Sequence, residues 1–126
     1  MTGQNTALLP LILLDRHPVA TAQIHDLTHS VRGSVQFFKT PLGTVISAEL
    51  RGKNIIAKTF HLHISHNRRE ETVPLSLLCI KQGGATLGCI TRCFSVEDIL
   101  EKTVEIRDTA IRANGRIFSV SRTQSS

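Results

Sequence analysis

Thr59-Phe60-His61-Leu62-His63-Ile64-Ser65-His66 alternates apolar and polar side chains and decides the fold class. Side chains of an extended strand point to opposite faces in turn, so Phe60, Leu62 and Ile64 define one face and His61 and His63 the other. The apolar face calls for a core, and the polar face carries two imidazoles able to approach one metal. His66 lies three residues past His63. It falls on the opposite face of a regular strand and would join the pair only if the strand ended or bulged at Ile64-Ser65.

The same alternation recurs outward from this stretch. Strands are expected at Val19–His25, Ser30–Lys39, Thr44–Leu50, Ile55–Ser65, Leu75–Ile80, Ala85–Phe94, Thr103–Arg107 and Arg116–Ser121. Turn chemistry stands between them at Thr40-Pro41-Leu42-Gly43, Gly52-Lys53-Asn54 and Lys81-Gln82-Gly83-Gly84. Ser95 before Glu97 and Asp98 opens a helix of one or two turns at most. About eight short strands with regularly spaced turns predict an all-β domain, a Greek-key barrel or sandwich of antiparallel strands. Residues 1–14 are expected to form a flexible or docking arm, 15–122 the barrel, and 123–126 a frayed tail.

With 126 residues, 40% hydrophobic and 20% charged, the chain is long enough for one core without covalent staples. It has five Phe and no Trp or Tyr, which leaves few stacking platforms for bases, and the net charge of +5 is dispersed. No nucleic acid is expected as a partner. Cys79, Cys89 and Cys93 are odd in number and lack a Cys-x-x-Cys knuckle, so reduced thiols in a cytoplasmic protein are expected rather than a zinc site. Cys89 and Cys93 can share a strand face, as small core hydrophobes or as soft copper ligands. Ala7-Leu8-Leu9-Pro10-Leu11-Ile12-Leu13-Leu14 is too short to span a bilayer and lacks the flanks of a signal peptide, so no membrane partner is expected. His25 and His29 read as surface histidines.

The order of several segments resembles the copper/zinc superoxide dismutase family, its bacterial type in particular. The segments are Ile24-His25, Val31-Arg32-Gly33-Ser34-Val35-Gln36-Phe37, the run from Gly43 to Gly52, Phe60-His61-Leu62-His63, the run from Phe94 to Ile106, and Asn114-Gly115-Arg116-Ile117. The likeness covers residues 18–122 and implies an eight-stranded Greek-key barrel. It places His61 and His63 at two copper ligands and Arg116 at the arginine that guides superoxide. It also implies losses. The loop that carries the zinc ligands and a bridging imidazole is cut to a connection over Asn67–Val73, the zinc aspartate falls at Pro74, the last copper histidine at Arg107, and a disulfide cysteine at Ser119.

A guanidinium cannot ligate a metal and repels one. The expectation is therefore a superoxide dismutase-like protein that lacks the zinc site and a complete copper site, binds copper weakly through His61 and His63 with or without His66, and is inactive. Two alternatives stay open. One is an active copper-only enzyme with superoxide or another small anion as its ligand; Arg107 and Arg116 at one channel mouth would attract such an anion. The other is a protein-interaction module that uses a sheet edge exposed by the missing loop, or the leucine-rich arm. A homodimer is compatible with each, and the two histidines can also be plain hydrogen-bonded strand residues.

Overall fold

Apolar residues at every second position can be buried only if a sheet curls over them, and this sheet curls until it closes. The computed structural model describes residues 17–52, 55, 59–66, 68–81 and 83–120, with only the backbone for His66, Ile80 and Lys81. The expected arm (1–14) and tail (123–126) lie outside the described residues. The strands are β1 (Ala20–Asp26), β2 (Val31–Thr40), β3 (Gly43–Arg51), β4 (Phe60–His66), β5 (Arg69–Lys81), β6 (Gly84–Thr91), β7 (Thr103–Arg107) and β8 (Arg112–Ser119). A single helical turn, α1 (Val96–Ile99), lies between β6 and β7.

Every strand pairing is antiparallel, in the order β1-β2-β3-β6-β5-β4-β7-β8, and β8 returns to β1 to close the barrel. The steps from β3 to β4 and from β6 to β7 cross between non-neighbours, which gives the Greek-key order. The all-β barrel expected from the alternation is thus the observed fold. One expectation fails: a closed barrel leaves no free sheet edge among the described strands, so no edge is exposed for a partner to extend.

The interior is filled by the inward set, including Ile24, Val35, Phe37, Ile46, Leu50, Phe60, Leu62, Ile64, Leu87, Ile106 and Ile117, all essentially inaccessible. Phe94, Val96 and Ile99 of the β6–β7 crossing join the same core. Thr44 on β3 fixes the start of that crossing by donating its hydroxyl to the Phe94 carbonyl at 3.1 Å. Lys39 and Glu97 meet at 2.5 Å over the same end of the barrel.

Closure needs two glycines. A Cβ on Gly33 would stand 1.9 Å from the Glu49 carbonyl oxygen, and one on Gly115 would stand 1.8 Å from that of Gln23. Both residues stand level with Ile24 on the inner surface, and the absent side chains let β2 approach β3 at Gly33 and β8 approach β1 at Gly115. The seam is also tied by Asp26. Its carboxylate accepts the Arg112 backbone N–H at 2.9 Å and the His29 backbone N–H at 3.2 Å, and it meets the His29 ring Nδ1 at 2.9 Å.

Several strand limits differ from those expected. The segment Asn67–Val73, expected as a connection, is strand from Arg69 onward, because Arg69, Glu70, Glu71 and Thr72 pair in register with His66, Ser65, Ile64 and His63. The turn passes through Arg68 at φ 63°, and β5 extends as far as Lys81. Its polar run gave no apolar alternation to read. The strand expected from Ile55 is described only from Phe60, and β8 begins at Arg112 rather than Arg116, since Ala113 and Gly115 are too small to mark an inward face. The strand expected to reach Phe94 stops at Thr91, whose hydroxyl accepts the Cys93 N–H at 3.1 Å and turns the chain away.

Two measurements follow. Gly115→Ala should lower unfolding free energy by about 3 kcal/mol in urea melts, near the top of the range for forced overpacking; a loss under about 0.5 kcal/mol would deny that the seam is tight. Burial pushes the Asp26 carboxyl up, but the hydrogen bonds from Arg112 and His29 and the His29 ring outweigh it and hold the group below its usual range. A depressed folded-state value means that its stabilisation is complete above the unfolded carboxyl range, near pH ~4, and is lost as pH falls below that. Asp26→Asn should therefore flatten the acid limb of a stability–pH curve.

Candidate functional site

β4 presents Phe60, Leu62 and Ile64 to the core and His61 and His63 to the outside, both half-buried. Their ring centroids lie 6.5 Å apart with planes tilted by 57°. The neighbours follow from register. His61 stands between Pro74 of β5 and Arg107 of β7, and His63 between Thr72 of β5 and Glu105 of β7. The strand continues past the pair without a bulge, Ser65 opposite Glu70 and His66 opposite Arg69. His66 thus stays at the opposite parity to His63, and the break needed to turn it toward the pair does not occur in the backbone.

Arg107 organises this surface. Its Nε–H donates to Glu105 on the same strand, and an NH2 group donates to Glu70 Oε2 at 3.2 Å. Glu70 belongs to β5 and Arg107 to β7, with β4 between them, so the ion pair spans β4 diagonally on its outer side. His63 lies beneath this bridge with 15% of its side chain exposed. Its Nδ1 is 3.2 Å from the Thr72 hydroxyl and 3.7 Å from Glu70 Oε2. Burial lowers the His63 pKa and the Arg107 cation lowers it further, with Glu70 and Glu105 offsetting part of the effect. The ring's hydrogen-bond partner is the Thr72 hydroxyl.

This donor set does not fit a redox copper centre. Two imidazoles holding one metal at about 2.1 Å each bring their centroids closer than 6.5 Å in every arrangement except a nearly linear one. At the His61 rung the adjacent residue is a guanidinium, and the nearest carboxylates are each engaged by that guanidinium. Among the described residues, no group of three or more His, Cys, Asp or Glu side chains is placed to hold a metal ion.

The other candidates are dispersed. Arg116 is exposed and donates its Nε–H to the Glu101 carbonyl at 3.1 Å. It stands opposite Thr103, whereas Arg107 stands opposite Arg112, at the other end of the β7–β8 ladder. Four residues of strand separate the two rungs, about 13 Å, so Arg107 and Arg116 do not share a pocket. Cys89 packs against the core as a small apolar residue; burial and the nearby Cys93 push its thiol up to about 11, which leaves it protonated at neutral pH. None of the three cysteines is in a disulfide. His25 is exposed, and His29 is held by Asp26.

Glu70, Thr72 and Glu105 were not singled out in the sequence. Glu105 sits two residues before Arg107, so their shared face was readable. Glu70 and Thr72 are hidden in the sequence because the run Arg69–Thr72 shows no apolar alternation.

Among the described residues, no helix is long and apolar enough to cross a membrane. Compared with protein-family models and with curated proteins, the sequence matches none.

The bridge over His63 has a spectroscopic consequence. The His63 imidazole should titrate below the ordinary value of about 6.5, read from its ring proton shifts in NMR. Folding thus disfavours the protonated ring, so stability should decline as pH falls from the unfolded midpoint toward the lower folded one. Arg107→Met removes the cation and releases two carboxylates, and should raise the midpoint; an unmoved midpoint would show that the guanidinium does not lie over the ring.

Proposed function

We propose that the chain is a non-catalytic β-barrel protein, a binding or structural domain rather than an enzyme. More specifically, we infer a superoxide dismutase-like barrel whose metal chemistry has been replaced by an ion-pair network. The observation that carries this reading is the Arg107–Glu70 bridge across β4, which puts a permanent cation beside His61 and above His63. Dismutation requires a metal that changes oxidation state, a fixed set of nitrogen donors and an open position for the anion. Two histidines at the spacing of His61 and His63, one of them roofed over, supply at most two opposed donors and not the fixed set that this requires. The remaining affinity for copper is weak and rests on those two rings. The eight-stranded barrel and the pairing of His61 with Arg107, where the resemblance puts the last copper ligand, support the family reading.

An active copper-only enzyme is disfavoured because Arg116 stands away from the histidine pair and the guanidinium beside the pair, Arg107, is engaged by Glu70 and Glu105. The test is copper and zinc loading of the full chain, desalting into a chelating buffer, metal analysis by mass spectrometry, and superoxide decay on the same sample. The expected result is copper well below one per chain and decay no faster than in the buffer. Stoichiometric copper with a rate constant near the diffusion ceiling of about 10⁸–10⁹ M⁻¹s⁻¹ would overturn the reading.

A further inference from the structure

Strand register gathers basic side chains that lie far apart in the sequence. His25 of β1 stands opposite Arg32 of β2, and Arg32 stands opposite Arg51 of β3, so the three form one row across the outer face of three neighbouring strands. All three are exposed, and the core makes no demand on them. Residues directly opposite on one face start about 5 Å apart at Cβ, and like charges so placed destabilise a sheet. The Arg32–Arg51 pair is therefore a cost that packing does not explain.

The row borders a hollow of about 580 Å³ on the outer side of β1, β2 and β3, bounded at one end by the β1–β2 turn at Leu27 and Ser30. On the next outward rung Gln23, Ser34 and Glu49 face the same hollow. Its carboxylates are already engaged. Glu49 Oε1 accepts an NH2 group of Arg51 at 3.0 Å, and Asp26 is held by Arg112 and His29. Among the described residues, no ion pair or side-chain hydrogen bond is made by Gln23, His25, Arg32 or Ser34. The hollow thus collects a free guanidinium, the remaining edge of a second, an imidazole, a hydroxyl and an amide, a set rich in donors and short of acceptors.

We propose that this hollow binds the phosphate group of a small molecule, held between Arg32 and Arg51 and flanked by His25 and Ser34. Guanidinium forks clasp phosphate oxygens through parallel hydrogen bonds, and the volume is in the range of pockets that take small ligands. A phosphate at the row supplies the missing acceptors and offsets the repulsion between the two arginines. Glu49, one rung along, repels a second anionic group there, so the site suits a single phosphate rather than a polyanion laid along the strands. The proposal is independent of the reading of the histidine face on β4.

The test is an NMR titration of the isotope-labelled full chain, at constant ionic strength, with inorganic phosphate and with phenyl phosphate. Saturable shifts are expected in the backbone amides of Gln23, Arg32, Ser34 and Arg51 and in the ring protons of His25. Arg32→Gln should weaken binding at least tenfold, while Lys102→Gln, which removes one positive charge outside the hollow, should leave it unchanged. Arg32→Gln relieves a like-charge pair and should melt no lower than the parent; if it does not fold, Arg51→Gln is read in the same way. Tighter binding of phenyl phosphate assigns the group to an organic carrier, and equal or tighter binding of inorganic phosphate assigns it to the free ion. Shifts matched by sodium chloride, shifts that do not saturate, affinity unchanged in the arginine variants, or saturation reached only with a single-stranded oligonucleotide would each overturn the proposal, the last in favour of a nucleic-acid backbone.

Discussion

Closure of the sheet at the β1–β8 seam is the constraint on which the rest of the structure depends. A sheet with one apolar face either packs against another layer or bends until that face is inside. This chain takes the second course, and Gly115 at the β1–β8 seam and Gly33 between β2 and β3 let neighbouring backbones approach more closely than any Cβ would permit. Asp26 secures the same seam from the rim by drawing the β1–β2 turn and the start of β8 together. Once the barrel closes, every inward position is fixed, and with it every outward one. The histidine surface is a consequence of the core. His61 and His63 face outward because Phe60, Leu62 and Ile64 must face inward.

What the outward face does is then a matter of which residues register brings beside β4. β7 contributes Glu105 and Arg107, and β5 contributes Glu70 and Thr72. The guanidinium finds one carboxylate on its own strand and one two strands away, and the second pairing roofs His63. Such a network satisfies its own charges. A dication arriving at His61 and His63 would have to displace Arg107 from Glu70 and then remain beside the cation. The surface therefore carries two outward histidines within the electrostatics of an ordinary polar sheet face.

Much of this was legible in the sequence. Alternation in Val31–Phe37, Thr44–Leu50 and Phe60–Ile64 announced half-exposed strands, and the shared face of His61 and His63 follows from a period of two. The segments Arg69–Thr72 and Arg112–Gly115 were illegible for different reasons. The first is polar on both faces and is held as strand by its ladder with β4, and the second has inward residues too small to register as apolar. The distance between Arg107 and Arg116 was illegible because it depends on the β7–β8 register, which places them at opposite ends of one ladder. The burial of Phe38 and Val45 against Leu78, apart from the main core, was hidden because consecutive buried residues in a strand look the same whichever face each one covers.

The central claim is that the Arg107 guanidinium keeps a metal from the histidine pair, and it is tested most directly by replacing that side chain with an imidazole. Calorimetric titration of copper(II) into the parent and into Arg107→His measures the difference. The account predicts that the substitution removes the cation, adds a nitrogen donor at the rung beside His61, and tightens binding by at least about tenfold, ~1.4 kcal/mol. Equal affinity in the two proteins, or a parent that already binds one copper tightly, would contradict it.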